Sequence, residues 1–439
     1  MKKIWILFFA FGAAAQERRD PRLEAIVQRI EPAPLQATVA KLVSFGTRHT
    51  LSETSGPRGI GAARKWLATE FGRIGQRSRP FEDRFLAPTG PRIPAPVEIV
   101  NLGVVIPGTD AARSRQAIVM TGHYDSIPTD PMDAKSDAPG ADDDASGVSM
   151  ALEMARAFAA EQPAVSLYFV AVAGEEQGLV GSQHLAERLK SEGLEILAMT
   201  SVDIAGNGEG QDGIRDTSSG RIFSEGVPAV ESEAQKKLRE AVGGENDSPA
   251  REWARYLQSV GERYSEGLTL RLMLRRDRIA RGSDHISFAR LGYPAVRLME
   301  SRENYRRQHQ TPRIENGLEY GDDLAHFDAP YAARLCRALA AAIASLAFAP
   351  APPQKIVLAG AVSPDTKLRW TLPADPRLAS VIVYRRGAGE VRWQERTLLG
   401  KVDHVVLPSL VPDNFFFAVA TVDAAGNESL PHPPAELGR

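Results

Sequence analysis

Val165-Ser166-Leu167-Tyr168-Phe169-Val170-Ala171-Val172 is followed, after one alanine, by Gly174-Glu175-Glu176-Gln177-Gly178. The first eight residues form a near-continuous apolar run, the pattern of a strand covered on both faces. The glycine-bounded Glu pair falls at the end of that strand, and Leu179 to Lys190 continues as a helix. The same alternation repeats outward. Ala117-Ile118-Val119-Met120 predicts a strand leading into Thr121-Gly122-His123, and Gly147 to Ala160 carries Val148, Leu152, Ala155 and Ala159 at helical spacing. Leu197 to Ile204 and Pro294-Ala295-Val296-Arg297-Leu298 predict two further strands. Strands alternating with helices imply an α/β fold with a mostly parallel, mixed sheet, right-handed crossovers and helices on both faces. In such sheets the chemistry gathers at the carboxyl ends of the strands.

The chain of 439 residues is long enough for more than one structural unit. Lys2 and Lys3 precede the apolar run Ile4 to Phe11, which gives way to Gly12 and Ala13-Ala14-Ala15. A basic start, a short apolar stretch and small residues predict a secretory signal at residues 1–15, hence a protein exported to the periplasm or secreted. The run is shorter than the roughly 20 residues of a membrane span, so no stable membrane anchor is expected after cleavage. The α/β region is read as 16–349. Residues 350–353, Pro350-Ala351-Pro352-Pro353, predict a stiff linker. Residues 354–439 hold short alternating runs such as Ser380 to Tyr384 and Phe415 to Val422, separated by turns, which predicts a small all-β sandwich. Cys336 is the only cysteine, so no intrachain disulfide is possible; its helical neighbours make it a buried apolar residue. With 53 basic and 55 acidic side chains and a formal charge of -2, nothing points to nucleic acid or an anionic membrane as partner.

Five stretches carry candidate chemistry: His123-Tyr124-Asp125-Ser126, Gly140 to Gly147 with Asp142-Asp143-Asp144, Glu175-Glu176, Asp203, and His309. Two imidazoles and several carboxylates at one sheet edge suit a divalent cation, and the crowded negative charge calls for one. Each stretch also has a bland reading. The aspartate triplet can cap the helix that follows. The Glu pair can be a solvated loop, Asp203 a turn former, and either histidine a structural one. Their joint placement at successive strand ends favours a metal site.

Gly122-His123-Tyr124-Asp125-Ser126, Pro139 to Gly147, and Glu175-Glu176-Gln177-Gly178-Leu179-Val180-Gly181-Ser182, with Asp203, Ser283-Asp284-His285 and His309 in order, resemble the co-catalytic dizinc aminopeptidases, family twenty-eight of the metallopeptidases. The resemblance implies a zinc-exopeptidase-like fold holding two Zn2+ per chain. It implies Asp143 bridging the ions, His123 and Asp203 on one, Glu176 and His309 on the other, and Glu175 as general base. Asp125 would accept the imidazole N–H of His123, and Asp284 and His285 would support the site from behind. The implied partner is a peptide with a free N-terminus. Where some relatives carry an oxyanion-binding Tyr before the last histidine, this chain has Gln308, and Tyr305 is the candidate substitute. The rival readings are a one-zinc glutaminyl cyclase, a carboxypeptidase using Arg297, Arg302, Arg306 or Arg307, and a metal-free binding protein. The C-terminal region resembles a fibronectin type III module, either a spacer or a docking surface.

Overall fold

The computed structural model describes residues 19–438. The signal segment expected at 1–15 lies outside them. The central sheet has eight strands: β1 (Arg79–Ala87), β2 (Val97–Ile106), β3 (Gln116–His123), β4 (Ser166–Val172), β5 (Glu195–Val202), β6 (Ser219–Ser224), β7 (Thr269–Met273) and β8 (Ala295–Glu300). Their spatial order is β1-β2-β4-β3-β5-β8-β6-β7. The middle strands β4, β3, β5 and β8 run parallel, and β2 and β6 join them antiparallel on either side.

Alternation along the middle strands explains the continuous apolar runs. In β3, Ile118 and Met120 join a core that includes Val148, Leu152 and Ala155, while Ala117 and Val119 face Leu185 and Leu189 on the opposite side. The first layer contains α1 (Pro21–Gln28), α2 (Pro32–Val43), α3 (Gly59–Gly72) and α4 (Ala145–Phe158); the second contains α5 (Val180–Ser191). β3 and α4 cross so closely that a Cβ on Gly122 would lie 2.4 Å from the Gly147 carbonyl carbon. Glycine is required there by contact, independent of its backbone angles.

Residues 206–281 form part of the large sheet. They supply β6 and β7 to the sheet edge, with α6 (Glu233–Val242) and α7 (Pro249–Tyr264) between them. Arg221 and Arg271 interrupt these short strands, so they lack the apolar signature of their neighbours. α8 (His285–Ala289) precedes β8, and α9 (Ala329–Phe348) packs against α7, α1 and α2. α9 is long and apolar enough to cross a membrane, but 89% of its apolar window is buried inside the protein. Cys336 is buried within it.

The C-terminal region forms two sheets. One holds Gln354–Ala359, Thr366–Thr371, His404–Leu407 and Glu436–Leu437; the other holds Ser380–Gly387, Glu395–Leu398 and Phe415–Val422. Ile356, Leu368, Trp370, Val381, Val383, Phe417 and Val419 fill the space between them. The proline-rich linker is not a free spacer. Ala349 is fully buried and its carbonyl accepts from Arg113 at 2.8 Å, the Ala351 N–H donates to Asp375 at 2.8 Å, and the Ala351 carbonyl accepts from Thr421 at 2.9 Å.

The seam between the two regions carries buried polar contacts. Trp393 Nε1 donates to Glu252 at 2.9 Å, and the Tyr256 hydroxyl lies 2.7 Å from Ser345 Oγ and 2.8 Å from the Glu428 carbonyl. The Arg386 guanidinium, 2% exposed, pairs with Asp247 beside Trp393 and Phe416. Removing one partner of a buried ion pair leaves the other uncompensated and costs roughly 3–5 kcal/mol. Unfolding followed by calorimetry should therefore show one transition for both regions, and R386A should lower its midpoint. Two separate transitions, with R386A shifting only one, would show that the seam does not couple them.

Candidate metal centre

The carboxyl ends of the parallel strands bring the sequence candidates together. His123 ends β3, Glu175 and Glu176 follow β4, Asp203 follows β5, and His309 lies on the loop after β8. Asp143 arrives from the loop between β3 and α4. His123 Nε2 is 3.1 Å from Asp143 Oδ1 and 3.8 Å from Asp203 Oδ1. His309 Nε2 is 2.9 Å from Asp143 Oδ2 and 3.0 Å from Glu176 Oε1. The two oxygens of Asp143 thus face two different imidazoles. Potential ligand atoms of His123, Asp143 and Glu176 lie within 4.8 Å of one another, as do those of His123, Glu175 and Asp203. Glu175 is the more accessible member, while His123, Asp143, Glu176 and Asp203 are buried. His309 closes the cluster from a left-handed backbone, φ 51, a conformation that non-glycine residues reach only under strain.

The aspartate triplet divides three tasks. Asp144 caps α4 through the Gly147 N–H at 2.8 Å and accepts the His123 N–H at 2.9 Å, so the capping expectation holds for this residue. Asp142 turns away, accepting from the Gly206 N–H at 2.6 Å beside the buried Glu300; burial pushes it up to about 7. Asp143 is left to meet the imidazoles. Two groups absent from the sequence reading hold this loop. Asp322 accepts the N–H groups of Asp142 and Asp143, both at 2.8 Å. The fully buried Arg48 donates to the carbonyls of Tyr124, Pro139 and Gly140. Gly321-Asp322-Asp323 beyond the last histidine was the available signal for the first; Arg48 had none.

The supporting residues differ in detail from expectation. The Nδ1 of His123 lies nearer the Asp125 backbone carbonyl, 3.1 Å, than its carboxylate, 3.7 Å. The Asp125 carboxylate instead accepts the N–H groups of Glu175 and Glu176, at 3.3 and 3.1 Å, and the Thr50 hydroxyl. It therefore positions the Glu pair more than the imidazole. His285 Nε2 sits 2.9 Å from the Arg276 carbonyl, and burial lowers its pKa to about 4, so the ring is a neutral donor with a structural task. Asp284 is buried and pushed up to about 7 by burial. Arg297 is fully buried, 3.0 Å from Asp203 and 3.5 Å from Asp277, and is not free to meet a substrate carboxylate. Arg302 pairs with Asp212 and Arg307 lies 3.5 Å from Glu319. Tyr305 is 56% exposed, whereas the Gln308 side chain is buried with neither amide atom hydrogen-bonded.

Electrostatics fit a cation. Burial alone would raise Asp143, but His309 and His123 hold it well below the usual carboxylate range. Burial would lower His123, yet Asp125, Asp143 and Asp203 push it well above its usual value. Glu176 Oε1 and Asp203 Oδ1 are buried, and each has an ion-pair neighbour at 3.0 Å, His309 and Arg297, but no well-aligned hydrogen bond. A buried set of oxygen and imidazole ligand atoms that draws positive charge inward suits zinc.

A family model described as peptidase family M28 matches residues 101–329, which include every candidate ligand. A protein of Leptosphaeria maculans named "Probable zinc metalloprotease" is 40% identical over 416 residues, covering 93% of this chain and 96% of that protein. The chain belongs to peptidase family M28. It is a zinc metallopeptidase by family, and a second relative, from Pyrenophora teres f. teres, carries the same description at 40% identity over 93% of this chain and 86% of its own length. The fold of this M28 peptidase is shared with LapB of Legionella pneumophila, at a TM-score of 0.52 and 20% identity over 74% of this chain and 75% of that one. The LapA aminopeptidase of the same organism aligns at 0.51 and 20% over 77% and 78%.

Because Asp322 alone fixes two consecutive N–H groups of the ligand loop, D322A should weaken zinc binding about 10- to 100-fold, the usual effect of removing a group that orients a ligand. Competition with a chromophoric chelator measures this, with circular dichroism confirming the fold. Unchanged affinity would show that the loop holds itself.

Proposed function

We propose that this chain is an exported aminopeptidase that holds two zinc ions about Asp143 and hydrolyses the first peptide bond of substrates with a free amino end. The observation that carries this reading is the division of Asp143, with one oxygen toward His123 and the other toward His309. His123, Asp203 and Asp143 would hold one ion, and His309, Glu176 and Asp143 the other. When bound, such a pair makes a water acidic enough to attack near neutral pH and polarises the scissile carbonyl, the chemistry of two-metal hydrolases, aminopeptidases among them.

The chain's own residues supply the proton traffic and the fit. Glu175 lies beside the cluster, more open than its neighbours, and its carboxylate takes the proton of the attacking water and gives it to the departing amine. Burial raises its pKa well above the usual value, helped by Glu176, Asp203 and Asp284, which suits a group that must both accept and return a proton. Asp125 fixes the Glu175–Glu176 backbone, and Arg297 holds Asp203 in place. The excess of carboxylates around His123 favours a substrate ammonium, which is the basis for expecting a free α-amine. Export rests on Lys2, Lys3 and the apolar run that follows them.

Metal analysis of the purified enzyme should find near two zinc per chain. E175Q should keep that content while turnover falls on the order of 10²- to 10⁴-fold, the usual worth of a positioned acid–base group. Leucyl peptides should be cleaved and their N-acetylated forms left intact. Cleavage of blocked peptides, or cyclisation of glutaminyl peptides without hydrolysis, would replace this reading.

A further inference from the structure

The turn joining β1 and β2 places a cation against the Glu176 backbone that the chemistry above does not use. Residues 88–96 include Pro88, Pro91, Pro94 and Pro96, and backbone hydrogen bonds of 2.8 and 3.1 Å between Gly90 and Ile93 close the turn. Ile93 is 2% exposed and belongs to the main core, so the turn is pinned at that point. Arg92, next to it, is exposed. Its Nη1 donates to the backbone carbonyl of Glu176 at 2.6 Å, one residue from Glu175. Among the described residues no carboxylate pairs with Arg92. A guanidinium has five N–H donors in a fixed fork, so most of them remain free.

Arg306, three residues before His309, has a sheltered Nε without a hydrogen-bond partner. A carboxylate entering this acidic centre would be repelled by Glu175 and Glu176 unless a cation met it.

We propose that Arg92 anchors a carboxylate on the departing part of the substrate, so that the enzyme favours peptides with a negative group close behind the scissile bond. This rests on the aminopeptidase reading. The carboxylate is either the free carboxyl end of a di- or tripeptide or the side chain of an acidic second or third residue. The fork of Arg92 matches a carboxylate with two parallel hydrogen bonds. Its proline-rich, core-pinned turn keeps the ordering cost of that contact small.

The test compares Leu-Gly-Gly, its C-terminal amide and Leu-Asp-Gly amide on the zinc-loaded wild type, R92Q and R92K. Wild type should prefer one or both carboxylate-bearing peptides over Leu-Gly-Gly amide by about tenfold in kcat/KM, mostly through KM, as expected for a charge-assisted contact. The preference should shrink toward one in R92Q, survive in part in R92K and weaken with added salt. Preference for the free tripeptide alone assigns the terminal carboxylate, and preference for the aspartyl amide alone assigns the side chain. A wild type without preference, or an equal loss on all three peptides in R92Q, overturns the proposal and leaves Arg92 as a brace for the Glu176 loop. Calorimetric binding of glycylglycine and its amide to the same proteins gives a second reading without turnover. If the wild type cleaves no unblocked peptide, the aminopeptidase reading fails, while tighter binding of the free dipeptide that R92Q abolishes still upholds the anchor.

Discussion

Asp143 can present one oxygen to each of two imidazoles only because its backbone is held from outside the loop. Asp322 takes the two N–H groups at its turn, Arg48 ties down the carbonyls before it, and Asp144 locks the loop to both α4 and His123. Carboxylates gathered this closely repel one another, and the repulsion is offset by buried cations and imidazoles behind the front row. Arg297 behind Asp203 is the plainest case. The sheet supplies the frame, since four parallel strands end at one edge and deliver His123, the Glu pair and Asp203 side by side.

Legibility in the sequence followed burial. β3, β4, β5 and β8 are covered on both faces, so they read as apolar runs, and the candidates at their ends came with them. β1 is largely exposed and carries charged residues, and β6 and β7 are short and broken by arginine, so the edges of the sheet were not legible. The same logic applies at the site. Residues that approach the centre with their own side chains stand at strand ends, where position in the pattern marks them. Asp322 and Arg48 act on backbone groups of a loop distant in sequence, and such contacts leave no periodic trace. The triplet Asp142-Asp143-Asp144 shows the limit: its members have three different partners, and composition alone does not assign them.

The linker is a similar case. Consecutive prolines favour an extended backbone, but that preference says nothing about what lies beside it. Here Arg113, Asp375 and Thr421 grip it, and α7 meets the C-terminal region through Glu252 and Arg255, with Asp247 just before the helix adding a third contact. The C-terminal region is thus mounted on the helix that packs against α9, and its orientation to the metal centre is set.

The outermost strand of the large sheet has a further consequence. β1 has an open side, and an unpaired row of backbone groups invites a second molecule to add a strand. Exposed Arg79, Pro80, Glu82 and Arg84 line that strand, with the charged groups alternating in sign and the proline lacking a donor. Two copies meeting edge to edge would bring like charges together in several registers and lose hydrogen bonds at the proline. Charge and proline on this rim therefore disfavour the pairing of a second strand.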